Sequence, residues 1–186
     1  MFNEKFFYET VRARLFEGKL SAPQVDGLNA ILGYWQTNYK SCDLRWLAYA
    51  LGTAHLETNR TFQGVEEGYY LGTASAKRHQ KSLRYYPYYG RGLVQLTHKY
   101  NYEKMSKIFG VNLVANPELA LNLDLSVKIM FYGMIGGSFT GKKLSDYFSG
   151  KKEDWRGARK IINGTDKSEI IADIAKKYYS AISIIV

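Results

Sequence analysis

A chain of 186 residues suits one domain with a sizeable core, and 46% hydrophobic content with 15% aromatics excludes a disordered chain, which lacks the apolar material to offset its ordering entropy. The formal charge of +9 draws the chain toward polyanions, but its basic residues are scattered rather than blocked, which argues against a dedicated nucleic-acid groove. The single Cys42 excludes an internal disulfide, no window approaches the roughly 18 apolar residues of a membrane span, and Met1 to Phe7 lacks a secretory h-region, so synthesis in a reducing cytoplasm is expected.

Taken in order, residues 3–16 place Phe6, Phe7, Val11 and Leu15 at helical spacing, with a stop at Gly18. Ser21, Pro23 and Gln24 read as a capping box for a second helix with Val25, Leu28, Leu32 and Trp35 on one face. A third helix begins near Asp43, turns Leu44, Leu47, Leu51 and Ala54 inward and delivers Glu57 near its end. From Asn59 to Gly92 the helical period fails, leaving a long loop with a short helix near Ala74 to Lys81; connections of that length are usually functional.

Thr97 is expected to cap a helix containing Tyr100, Tyr102, Met105 and Ile108 and ending at Gly110. Asp124 opens an apolar helix through Val127, Met130, Phe131 and Met134, and short helices are expected over Leu144 to Phe148 and around Trp155 to Ile162. Asp166 to Glu169 reads as a capping box for a final helix carrying Ile170, Ile174, Tyr178 and Ile182. Strand signals are limited to a small ribbon from Tyr86 to Tyr89 and Gly92 to Leu96, so the expected fold is all-α, one domain over 1–186.

In a basic chain, Glu57, Glu66 and Glu67 gather beside aromatic and amide side chains. Cleaving a glycosidic bond takes a carboxylic acid on the leaving oxygen and a carboxylate on the opposite face of the sugar, roughly 6.5 to 9.5 Å apart when configuration inverts. On one unbroken helix Glu57 and Glu67 would stand about 15 Å apart along the axis and about 80° out of phase, so the helix must break, and Asn59, Thr61 and Gly64 can break it. Glu57, beside Leu56 and Phe62, is the better acid because partial burial favours a protonated carboxyl. Glu67 is the better base, with Glu66 its alternate, and ion pairing of all three to Arg60, Lys77 or Arg91 is the bland alternative.

Other chemistries fit less well. His55-Leu56-Glu57 matches the H-x-E of zinc deaminases, but one cysteine cannot supply the partner motif. Gly90-Arg91-Gly92 begins like a dinucleotide fingerprint, yet Gln95 takes the third glycine's place. A zinc site from His55, His79 and His98 competes with the commoner reading of scattered histidines as core or surface residues. Gln95, Thr97, Asn101 and Asn163 can each bond a sugar hydroxyl, an acetamido group or a water, and Tyr69, Tyr70, Tyr85, Tyr86, Tyr88 and Tyr89 favour a carbohydrate cleft.

The segments Glu57-Thr58, Thr61-Phe62-Gln63, Val65-Glu66-Glu67, Tyr88 to Thr97, Tyr100-Asn101-Tyr102 and Ile161 to Asp166 resemble glycoside hydrolase family 19, the chitinase and lysozyme-like family, and Val11 to Leu20 resembles the start of its bacteriophage endolysins. The resemblance implies a lysozyme-like fold and inverting hydrolysis of N-acetylated β-1,4 glycans without metal or cofactor. Glu57 matches the general acid, Glu67 the general base, Thr97 the hydroxyl that helps hold the attacking water, Asn101 and Asn163 the substrate-binding asparagines, and Tyr88 and Gln95 their cleft neighbours. Leu56 stands where the family has a histidine before the acid, and the family's C-terminal arginine finds no clear match, with Lys176 or Lys177 as stand-ins. The expected activity is hydrolysis of peptidoglycan strands, N-acetylmuramidase-like, by a monomer reaching the wall after release from the cytoplasm, its charge assisting at anionic outer-membrane or wall polymers. A chitinase, or a non-catalytic wall-binding or virion protein, is the alternative.

Overall fold

Asn3 opens the first helix by accepting a bond from the Phe6 amide at 3.0 Å. The computed structural model describes residues 3–184; Met1 and Phe2, part of the amino-terminal stretch read above, lie outside them. Helix α1 (Glu4–Leu15) buries Phe7, Val11 and Leu15, and α2 (Ala22–Asn38) starts from the reciprocal Ser21–Gln24 capping box. Helix α3 (Leu44–Glu57) is capped by Asp43 and buried from Leu47 to His55. It is the central rod of the molecule. After it come α4 (Thr73–Ser82), α5 (Lys99–Phe109), α6 (Leu123–Gly136) and α7 (Ser168–Ile182), with short 3-10 turns between. The fold is all-α among the described residues except for one antiparallel hairpin, β1 (Phe148–Ser149) with β2 (Lys152–Glu153).

α3 packs most extensively on α7. A Cβ added at Gly52 would stand 3.0 Å from that of Ala175, so the two helices approach through small residues. That contact decides which face of α7 is buried. Apolar residues occur at both 170/174 and 171/175, and helical spacing alone permits either stripe. The buried stripe is Ile171, Ala172, Ala175, Tyr178, Ala181 and Ile182, whereas Ile170 is 53% exposed.

Six further local expectations change. Asp166 to Glu169 forms no capping box: Lys167 precedes α7 in a left-handed conformation without a side-chain cap. Asn122 rather than Asp124 caps α6, accepting from the Leu125 amide at 3.0 Å. Thr97 does not cap α5, because His98 holds that position at φ 70° and the Thr97 hydroxyl donates to Gln95 O. The ribbon expected at Tyr86 to Leu96 is replaced by two isolated bridges through Arg91, to Glu66 and to Leu96. Leu144 to Phe148 forms only the 3-10 turn Leu144–Asp146 before β1, and Trp155 to Ile162 contracts to the 3-10 turn Gly157–Ile161.

Candidate active site

Helix α3 ends at Glu57, and Thr58 terminates it. The Thr58 hydroxyl donates to Ala54 O at 2.7 Å and accepts from the Phe62 amide at 3.0 Å, so one side chain both finishes the helix and receives the returning strand. Asn59, Arg60 and Phe62 adopt positive φ, which reverses the chain as the carboxylate spacing requires and buries Phe62 completely. A Cβ at Gly64 would meet Leu121 O at 1.9 Å, so only glycine lets this loop pass.

Beyond the reversal the chain presents Glu66 and Glu67. Glu67 Oε1 accepts from the Tyr85 hydroxyl at 2.9 Å, Oε2 from the Gly90 amide at 2.8 Å, and its own amide donates to Gly90 O at 2.7 Å. Burial, with help from the Glu67 carboxylate, pushes the Tyr85 phenol up to about 12, so it remains a donor across ordinary pH. Glu66 Oε1 accepts from the Tyr89 hydroxyl at 2.8 Å and faces Arg91 Nε at 3.4 Å. Arg91 is buried, lies 3.7 Å above the Tyr89 ring, and donates to Pro87 O and the Tyr102 hydroxyl. Glu66 is thus the counter-ion of a buried cation, whereas among the described residues Glu67 has only His79, 3.9 Å away, as a basic neighbour.

One groove of about 910 Å³ takes in Glu57, Glu66, Glu67, Gln95, Thr97, Asn101 and Asn163. Gln95, at φ 52°, turns its amide inward to Val65 O and Gly92 O, both at 3.1 Å, and so braces the floor. The Thr97 hydroxyl gives its proton to Gln95 O at 2.7 Å, which leaves only acceptor lone pairs free. Asn101 donates to Thr97 O at 2.9 Å, while its buried Oδ1 has no partner among the described residues. Asn163 lies exposed at the groove's edge, its Oδ1 accepting from the Gly164 amide. Tyr88 is not brought into this groove: its hydroxyl donates to Val114 O at 3.3 Å, its ring packs on Tyr102, and it lines a second, shallower pocket.

Within the chain, residues 45–136 match the family model described as Chitinase class I, glycoside hydrolase family 19. The chain belongs to glycoside hydrolase family 19. Over 33 residues it is 61% identical to Chitinase 11 of Oryza sativa subsp. japonica, covering 18% of this chain and 13% of that one. Over 46 residues it is 46% identical to a basic endochitinase of Vitis vinifera, covering 24% of this chain and 15% of the relative. The matched stretches therefore span only a small part of those curated relatives. Among solved structures, chitinase C from Streptomyces griseus HUT6037 superposes with a TM-score of 0.59 at 17% identity, covering 97% of this chain and 76% of that one. A bacterial family 19 chitinase superposes with a TM-score of 0.61 at 19% identity, over 99% of this chain and 96% of the other. Both carry the same fold.

The family 19 groove also contains a residue that sequence reasoning missed. Arg159, in the turn Gly157–Ile161, donates through Nη1 to Glu57 Oε1 at 2.5 Å and through Nε to Asp166 O at 3.0 Å. It is 3% exposed. Glu57 is therefore held against a guanidinium rather than among apolar side chains alone, and neither Arg60, Lys77 nor the stand-ins Lys176 and Lys177 take that place. The signal was an arginine inside the apolar series Ala158, Ile161, Ile162, where a cation needs a buried partner. His55 faces away from the groove: it meets the Tyr178 hydroxyl at 3.0 Å between Phe16 and Phe62. The three histidines thus do not converge, and no group of His, Cys, Asp and Glu suited to a metal occurs among the described residues.

Proposed function

We propose that this groove hydrolyses β-1,4 glycosidic bonds in polymers of N-acetylated sugars, with Glu57 as general acid and Glu67 as general base. The observation that carries the reading is that these two carboxylates line one groove from different supports, a helix end and a pinned loop. Arg159 holds Glu57 through Oε1, which leaves Oε2 to face the leaving oxygen and deliver the proton, and the guanidinium stabilises the carboxylate that remains. Thr97, restricted to accepting, receives a hydrogen bond from one O–H of a water while Glu67 takes the other proton, which aims the water's oxygen at the anomeric carbon. Attack from the face opposite the leaving group inverts configuration. Asn101, with its free buried Oδ1, receives an N–H or O–H of the sugar.

The finer reading is an endolysin acting on peptidoglycan strands, N-acetylmuramidase-like, made in the cytoplasm and reaching the wall after release. Its support is the +9 charge, which suits an acidic polymer better than a neutral one. Chitin is the second reading, favoured by the names of the matched plant relatives.

Chitin hexasaccharide and purified peptidoglycan separate the two. New reducing ends are expected from peptidoglycan, identified by mass spectrometry, with inverted anomers in early proton NMR spectra. Release of none from either polymer would sink the hydrolase reading, and release from chitin alone would replace the finer one. Lysis should weaken as salt rises, and indifference to ionic strength would count against the charge argument.

A further inference from the structure

Beside the groove lies the shallower pocket of about 540 Å³ that contains Tyr88. Tyr85, His98 and Tyr100 line both, so a single row of side chains divides them. Tyr100 stacks on His98 with ring centres 5.6 Å apart and 9° between planes, yet is 61% exposed, and Tyr86 is 50% exposed. Rings placed to support the core would be covered; these stand open at a rim.

The rim's charge is one-sided. From Gly68 to Tyr102 the sequence carries Lys77, Arg78, Lys81, Arg84, Arg91 and Lys99 and no aspartate or glutamate. Arg91 is buried against Glu66, whereas the other five are exposed. Arg84 and Lys99 line the pocket, with Glu103 the one acidic group there, 3.7 Å from Lys99. Arg84 has no ion-pair partner among the described residues. A planar guanidinium free beside flat rings suits a carboxylate on an apolar stem.

We propose that this pocket is a carboxylate subsite for the stem peptides that a peptidoglycan strand projects from its sugars. With the glycan lying in the groove, a substituent leaving it sideways crosses Tyr100 and His98 and meets Arg84 and Lys99. A neutral chitin strand has no group to place there. The inference rests on the hydrolase reading and narrows its substrate to the acidic strand.

Binding tests it without cutting, in a Glu67→Gln background. Calorimetry compares soluble glycan fragments bearing free stem peptides with the same fragments after their carboxyls are amidated. Free-carboxyl fragments should bind about tenfold more tightly at low salt, given the modest worth of each exposed charge contact. Adding Arg84→Gln and Lys99→Gln should remove that preference without moving the thermal midpoint. The control Lys77→Gln with Lys81→Gln lowers the charge equally on α4, outside the pocket, and should keep the preference.

Equal binding of both fragments by the parent, or a preference that survives the double substitution, overturns the subsite. So does displacement of the free-carboxyl fragment by heparin at equal charge concentration, which would mark a general polyanion surface. Cutting is assayed separately in the unaltered chain. A chain that cleaves neither glycan fails the hydrolase reading, whereas one that cleaves peptidoglycan without any carboxylate preference fails only this inference.

Discussion

Arg159 reaches Glu57 at 2.5 Å across 102 positions of the chain, so the proposed acid is held by a residue from the other end of the fold. With Arg159 3% exposed and the Glu57 side chain 17% exposed, removing either partner strands a charge in a largely dry site. Arg159→Ala is expected to cost about 3 kcal/mol of stability and, by leaving the charge forming on Glu57 uncompensated, to lower kcat by on the order of a hundredfold. Urea midpoints and initial rates on the cleaved glycan measure the two effects separately. A variant of normal activity would remove Arg159 from the mechanism.

Glu66 and Glu67 are neighbours with different partners, and their substitutions should separate. Glu67→Gln keeps a carbonyl acceptor for the Gly90 amide and an NH2 that can donate to the Tyr85 hydroxyl oxygen but cannot take a proton, so kcat is expected to drop by about 10²- to 10⁴-fold with the thermal midpoint little changed. Glu66→Gln weakens the counter-ion of buried Arg91. Because the Glu66 side chain is 36% exposed, the loss is about 1 kcal/mol, with most activity retained. The reverse pattern would make Glu66 the base.

Thr97→Val preserves shape while deleting the hydroxyl. A tenfold to hundredfold fall in kcat is expected, roughly the value of one positioned hydrogen bond to a reacting water, while KM stays near that of the parent. Thr97→Ser should restore most of it. An unchanged kcat in Thr97→Val would mean that the hydroxyl serves only the bend at Gln95 O, where it donates at 2.7 Å.

Burial, followed by the charges of Arg60 and Lys177, pushes the His55 imidazole down to about 4. An unfolded chain protonates it near 6.5, so the contribution is complete above that pH and is lost as pH falls toward 4. The span corresponds to on the order of 3 kcal/mol. His55→Gln keeps a polar partner for the Tyr178 hydroxyl and should flatten the decline of the urea midpoint between pH 7.5 and 4.5. An unchanged slope would assign the decline to other groups.

Local signals made much of the fold readable. The Ser21–Gln24 box, the periodic apolar faces of α1 to α3, and the short helix near 73–82 all rest on contacts within a few residues. So did the need for a break after Glu57, which the positive φ at Asn59, Arg60 and Phe62 supplies. Features decided by distant partners were not readable. The buried face of α7 depends on Gly52 of α3, and the carboxylate partner of Arg159 lies 102 positions away. Tyr88 illustrates the same limit: a tyrosine beside the cleft motif, it is drawn off by Val114 O and the Tyr102 ring.

Glu57 ends a rod packed against α7 through Gly52 and Ala175, whereas Glu67 hangs on a handful of bonds to Tyr85 and Gly90. The two jaws of the groove are therefore supported differently, one by helix packing and the other by hydrogen bonds to a loop. Amide exchange should be slow along α3 and faster from Gly64 to Gly92, and that difference would make the Glu67 side the one that adjusts to a bulky strand.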